Sequence, residues 1–136
     1  MTDQLISFET AILAKEKGFK EECAYYYNNK TGILKPFMFD DNPKVVSLQD
    51  GTNAGLLTIT PTQSLLQKWL RELHNMNIVI MTSINQSGKF QMSIEEIIKS
   101  FGTDMSDSIY CKDIDYDTYE EALEQGLLQA LKLIIL

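Results

Sequence analysis

Few side chains in this sequence are suited to covalent or acid–base chemistry. His74 is the single histidine, Cys23 and Cys111 are the two cysteines, and Arg71 is the single arginine. A catalytic triad would need His74 to meet one of the cysteines, or a serine, in space. No Gly-x-Ser-x-Gly turn and no cysteine-nucleophile signature marks such a meeting. His74 ends a helical stretch, where an imidazolium complements the helix dipole, so a capping or surface role is the simpler reading. One histidine and two scattered cysteines are too few for zinc. Neither cysteine belongs to a C-x-x-C pair, and both are expected to stay reduced and buried.

The carboxylates offer more patterns. Asp113, Asp115, Asp117 and Glu124 match the acidic positions of a twelve-residue calcium loop. That loop needs glycine after its third acid to make a sharp turn, and Thr118 stands there instead. The following residues read as a helix start, so no metal and no cofactor is expected. Glu95–Glu96 and Glu120–Glu121 are adjacent and would diverge around a helix rather than converge as acid and base.

Phosphate cradles of the G-x-x-x-x-G-K-[ST] and G-x-G-x-x-G kinds are absent. A small anionic ligand has one candidate seat. Thr60, Thr62, Gln63 and Ser64 open a helix whose first backbone N–H groups are unpaired, with Lys68 and Arg71 further along. Tyr25 and Tyr27 project to one side of a strand and offer rings for stacking. Lys20, Lys30 and Lys35 lie nearby in sequence, but Glu21 and Glu22 oppose them. Core packing is the simpler reading of these tyrosines, as helix capping is of Thr60–Ser64.

Charge narrows the function classes. Twelve basic residues face nineteen acidic ones, for a formal charge of −7. Nucleic acid and anionic membrane are disfavoured, because both need a cationic face. The acid is concentrated. Residues 104–124 hold Asp104, Asp107, Asp113, Asp115, Asp117, Glu120, Glu121 and Glu124 against Lys112 alone. A solvated surface explains this most simply, and a docking face for a basic partner is the sharper alternative.

The elements that must position these residues follow from capping and periodicity. A first helix is expected over 7–17, capped by Ser7 and stopped by Gly18. A second starts at Thr60, with Pro61 in its first turn and Gln63 completing a capping box. Leu65, Leu66, Trp69, Leu70 and Leu73 form its apolar stripe, and Asn75 stops it. A third starts at Asp117 with Glu120 as its capping partner, and Gly126 on its stripe implies close approach of another backbone. A fourth is expected over 93–101, where Ser93 and Glu96 match a capping box and Ile94, Ile97, Ile98 and Phe101 share a face.

Strands are expected at 23–28, 33–35, 77–84, 89–92 and 108–112, with an edge strand at Val45, Val46 and Leu48. Pro36 marks an edge, and 37–59 reads as a long loop or insertion. With 136 residues, the expected fold is a single α+β domain. It would carry a mainly antiparallel sheet of about four to six strands under three or four helices.

Three blocks, SFETAILAKEKGF, TPTQSLLQKWLRELHN and YDTYEEALEQGLLQALKLI, together resemble a group of small uncharacterised proteins of phages and prophages of gut anaerobic bacteria. The resemblance covers about a third of the chain and carries over no catalytic residue. It implies a phage accessory protein in the bacterial cytoplasm. The N-terminus lacks the basic front, apolar run and cleavage site of a secretory signal, and no membrane span is expected.

The resulting expectation is a non-enzymatic interaction protein that engages a host or phage protein through its acidic segment, with Asp104, Asp107, Asp113 and Asp115 as contacts. The alternative is a small-ligand or nucleotide-sequestering protein using Tyr25, Tyr27, Thr60, Thr62, Gln63, Ser64 and Arg71. An enzyme whose site shows no motif ranks third. The apolar end of the last helix, from Leu127 to Leu136, must be covered by the chain itself or by a second copy, and a homo-oligomer through that helix is expected.

Overall fold

The computed structural model describes residues 4–39, 42–43, 56–100, 103–111 and 113–135. The fold is α+β, and the chain divides into two compact units, 1–64 and 65–136.

In the first unit, α1 (Phe8–Glu16) is capped by Ser7, whose hydroxyl accepts from the Thr10 N–H. Its C-terminus closes as a Schellman motif. The Phe19 N–H reaches the Ala14 carbonyl and the Gly18 N–H reaches Lys15, with Gly18 at φ +98°. Phe19 folds back and is buried. Three strands, β1 (Tyr25–Asn28), β2 (Leu34–Pro36) and β5 (Leu57–Thr60), form an antiparallel sheet with β1 in the middle. Pro36 stands on the edge strand β2, where its missing N–H is harmless. Two short pieces, β3 (Met38–Phe39) and β4 (Asn42–Pro43), pair with each other. α1 packs on β5.

Within 37–59, the described residues 38–39, 42–43 and 57–59 are strand. Thr58, Ile59 and Thr60 are buried. The edge strand expected at Val45, Val46 and Leu48 lies outside the described residues.

The second helix, α2 (Gln63–His74), starts three residues later than expected. Thr60 belongs to β5, paired with Tyr25. Leu5 bridges Thr62, and the Ile6 N–H donates to the Pro61 carbonyl. These contacts hold the chain extended through Thr62, so strand pairing overrides the capping-box signal of Thr60 and Gln63. The stop at Asn75 is as read, with this residue in the left-handed region at φ 54°.

In the second unit, β6 (Met76–Thr82), β7 (Phe90–Ser100) and β8 (Thr103–Cys111) form a second antiparallel sheet with β7 central. The expected helix over 93–101 is corrected by this arrangement: Ser93 to Ser100 is strand. Ile94, Ile97 and Ile98 carry β-branched side chains suited to a pleated surface. β6 and β8 also offer ladders on both sides, which a helix there would forfeit. Ile78 and Ile94 stand opposite one another and are both buried. The single sheet expected from sequence is thus two three-stranded sheets and the short β3–β4 pair, and the described residues hold three helices.

The last helix, α3 (Tyr119–Leu133), packs on β6 and β7. Its cap is Thr118, whose hydroxyl accepts from the Glu121 N–H, one residue later than the expected Asp117 and Glu120 pairing. Gly126 does mark a close approach, though to the Ile78 side chain rather than to a backbone. Leu127, Leu128, Leu131 and Ile134 are buried within the chain. At the end of this helix, Leu133 and Ile135 remain exposed.

Candidate functional site

The residues singled out in the sequence fall into two groups, one in each unit. In the first unit, Tyr25 and Tyr27 sit opposite Thr60 and Thr58 in the β1–β5 register. Alternation along a strand puts all four side chains on one face. Tyr27 is committed to structure: its hydroxyl donates to the Ile6 carbonyl at 2.8 Å, and its ring meets Phe8 edge-on at 5.2 Å. Tyr25 is exposed. The Thr58 hydroxyl donates to Asn29 Oδ1. The Thr60 Oγ1 is buried and, among the described residues, has no hydrogen-bond partner.

The helix start expected to hold an anion is partly consumed. The backbone N–H of Gln63, the first helical residue, donates to the Gln4 carbonyl at 2.7 Å. The Gln63 side chain is buried, Thr62 is half-buried and Ser64 is exposed. Arg71 is exposed on α2, in the second unit.

In the second unit, the chain after β8 runs back along β7. Cys111 pairs with Ser93, and Phe90 and Tyr116 then exchange backbone hydrogen bonds of 2.9 and 2.8 Å. Four residues lie between Cys111 and Tyr116 where β7 spends two, Gln91 and Met92, so the two segments fall out of step there. The Gln91 amide lies at that mismatch. Its Nε2 donates to Asp113 Oδ1 at 3.0 Å and to Asp115 Oδ1 at 2.9 Å. Asn85 also donates to Asp113, at 3.2 Å, and Lys89 pairs with Asp117. The bond to Asp117 and its charge hold the Lys89 ammonium above the ordinary lysine range. Burial, with Tyr110 and Glu121 nearby, pushes the Tyr116 phenol upward.

Two carboxylates thus converge on one neutral nitrogen, a geometry suited to a cationic donor. No group of three or more metal-ligating side chains forms among the described residues. Asp117 is turned to Lys89, and Thr118 begins the capping of α3, which leaves no calcium-loop bend. Asp104 and Asp107 fall on β8 opposite Lys99 and Glu96, and their side chains lie outside the described residues. Asn85, Lys89 and Gln91 were not singled out in the sequence. Nothing local links them to residues more than twenty positions away.

The nucleophile candidates are poorly placed for chemistry. Burial, with Glu21 adding to it, pushes the Cys23 thiol up to about 12, far from a reactive thiolate. Cys111 is exposed on β8. His74 lies edge-on to Trp69 with ring centroids 4.8 Å apart, and burial lowers its pKa. That shift favours the neutral imidazole.

No helix among the described residues is long and apolar enough to cross a membrane. Comparison with protein-family models, with curated proteins and with solved structures finds no match.

Proposed function

We propose that this chain is a non-enzymatic accessory protein that binds a basic protein partner through its acidic segment, in the bacterial cytoplasm of a phage or prophage setting. The observation that carries this reading is the pairing of Asp113 and Asp115 on the neutral Gln91 amide. Their charges are hydrogen-bonded yet not neutralised. Asp113, Asp117 and Glu121 are exposed beside Ile114 and Tyr119, which are also exposed. Anionic groups next to apolar side chains suit a partner that brings arginine or lysine with apolar neighbours. The raised thiol of Cys23 and the absence of a phosphate-cradle motif weigh in the same direction, as does the likeness of the three sequence blocks to phage proteins.

The test is affinity capture from a bacterial lysate at graded ionic strength, comparing the natural chain with a D113N/D115N double variant. A specific protein should be retained by the natural chain and lost both by the variant and at high salt. Retention indifferent to both would overturn the reading. Sequestration of a small anionic ligand is favoured by one observation, the buried Thr60 hydroxyl that has no hydrogen-bond partner among the described residues. Mass spectrometry of small molecules released from the purified protein, with T60V as control, tests it.

A further inference from the structure

We propose that residues 113–117 form a releasable clasp over the outer edge of β7, opening while the rest of their unit stays folded. The clasp is bound to β7 by the two backbone bonds between Phe90 and Tyr116. Its side-chain tethers are Lys89 to Asp117, Asn85 to Asp113, and Gln91 to Asp113 and Asp115. All of these are exposed or only part-buried, where polar contacts are offset by water. None of the five residues is buried, so apolar burial anchors the segment weakly. Asp113, Asp115 and Asp117 lie at alternate positions, and among the described residues only Asp117 pairs with an ammonium, that of Lys89, so like charges stand close together in the closed form.

The flanks differ in kind. β8 is laddered to β7 from Ser93 to Ser100. α3 buries Ala122, Leu123, Gly126 and Leu127 directly after the clasp. A weakly held segment between firmly held ones is the pattern of a local opening unit. Opening frees the Phe90 N–H and carbonyl, and β7 then presents an unpaired edge beyond Cys111. The clasp is thus an opening unit of its own, and its release is read whether or not the acidic segment binds a basic partner.

Native-state hydrogen exchange on the full chain, read by residue and corrected for intrinsic rates, tests this. The Phe90 and Tyr116 amides should exchange at least about 100-fold faster than those of Leu127 and Leu131, with little dependence on denaturant. Q91A and K89A should each speed Phe90 and Tyr116 several-fold further and leave Leu127 and Leu131 unchanged. Phe90 and Tyr116 protected as well as Leu127 and Leu131 in the natural chain would overturn the proposal. So would a rise of all four rates together in Q91A.

Discussion

A Cβ on Gly126 would stand 2.6 Å from the Cγ2 methyl of Ile78. This contact sets how closely α3 can approach β6. Real Cβ atoms do not come so near, and a β-branched methyl has little room to retreat. The absence of a side chain at 126 is therefore a packing requirement.

Replacing Gly126 by Ala should destabilise the protein. Overpacking costs about 1–3 kcal/mol, offset by about 1 kcal/mol of better helix propensity. In an Ile78→Ala background the obstructing methyl is gone, and the same change should become stabilising. Urea denaturation of the four chains measures the reversal. Equal effects in both backgrounds would sink the explanation.

Cys23 gives an alkaline signature. Its folded thiol is pushed up to about 12 from an ordinary value of 9.0, so above that ordinary value the unfolded chain ionises while the folded chain keeps its proton. Stability should then fall with rising pH across that window, with a slope approaching about 1.4 kcal/mol per pH unit from this group. C23A should flatten that slope. Under native conditions a thiol reagent should modify the exposed Cys111 quickly and Cys23 only on unfolding.

His74 and Trp69 give an acid-side optical signature. Trp69 is the single tryptophan, and an imidazolium against it quenches its emission. Because burial lowers the His74 pKa, quenching should appear with a midpoint below the ordinary 6.5 and vanish in H74A. The unfolded chain takes up this proton first as pH falls. His74 thus contributes a loss of stability that begins near the ordinary value and ends below the folded one. A midpoint at or above the ordinary value would contradict the described packing.

Thr118 rather than Asp117 caps α3. T118A should cost about 1 kcal/mol, and T118S should retain most of that stability. D117A should lower stability less, since it removes an exposed ion pair and no cap. Thermal unfolding at neutral pH distinguishes the two. A larger loss from D117A would restore the capping assignment read from sequence.

Where the sequence was readable, local chemistry and tertiary context agreed. Ser7 and Gly18 bracket α1 because a hydroxyl cap and a left-handed glycine act on their own neighbours. The same holds for Asn75 after α2 and for the long stripe of α3. The stretch over 93–101 was misread because three isoleucines and an S-x-x-E pattern satisfy a helical template as well as a strand. Its neighbours in space decided the outcome. Thr60 was misread for a similar reason: a residue that can cap a helix was taken by a strand partner, Tyr25.

The sequence alone determined the class of the fold, the acidic balance, the lack of catalytic and phosphate-binding motifs, and the ends of its most periodic helices. Each of these depends on composition or on interactions within a few residues. Only the tertiary structure decided that the strands form separate sheets and that Gln91 gathers Asp113 and Asp115. It also decided that the apolar end of α3 is largely covered by the chain itself. Those features depend on register and packing between distant segments, where the free energy is set by which partners meet.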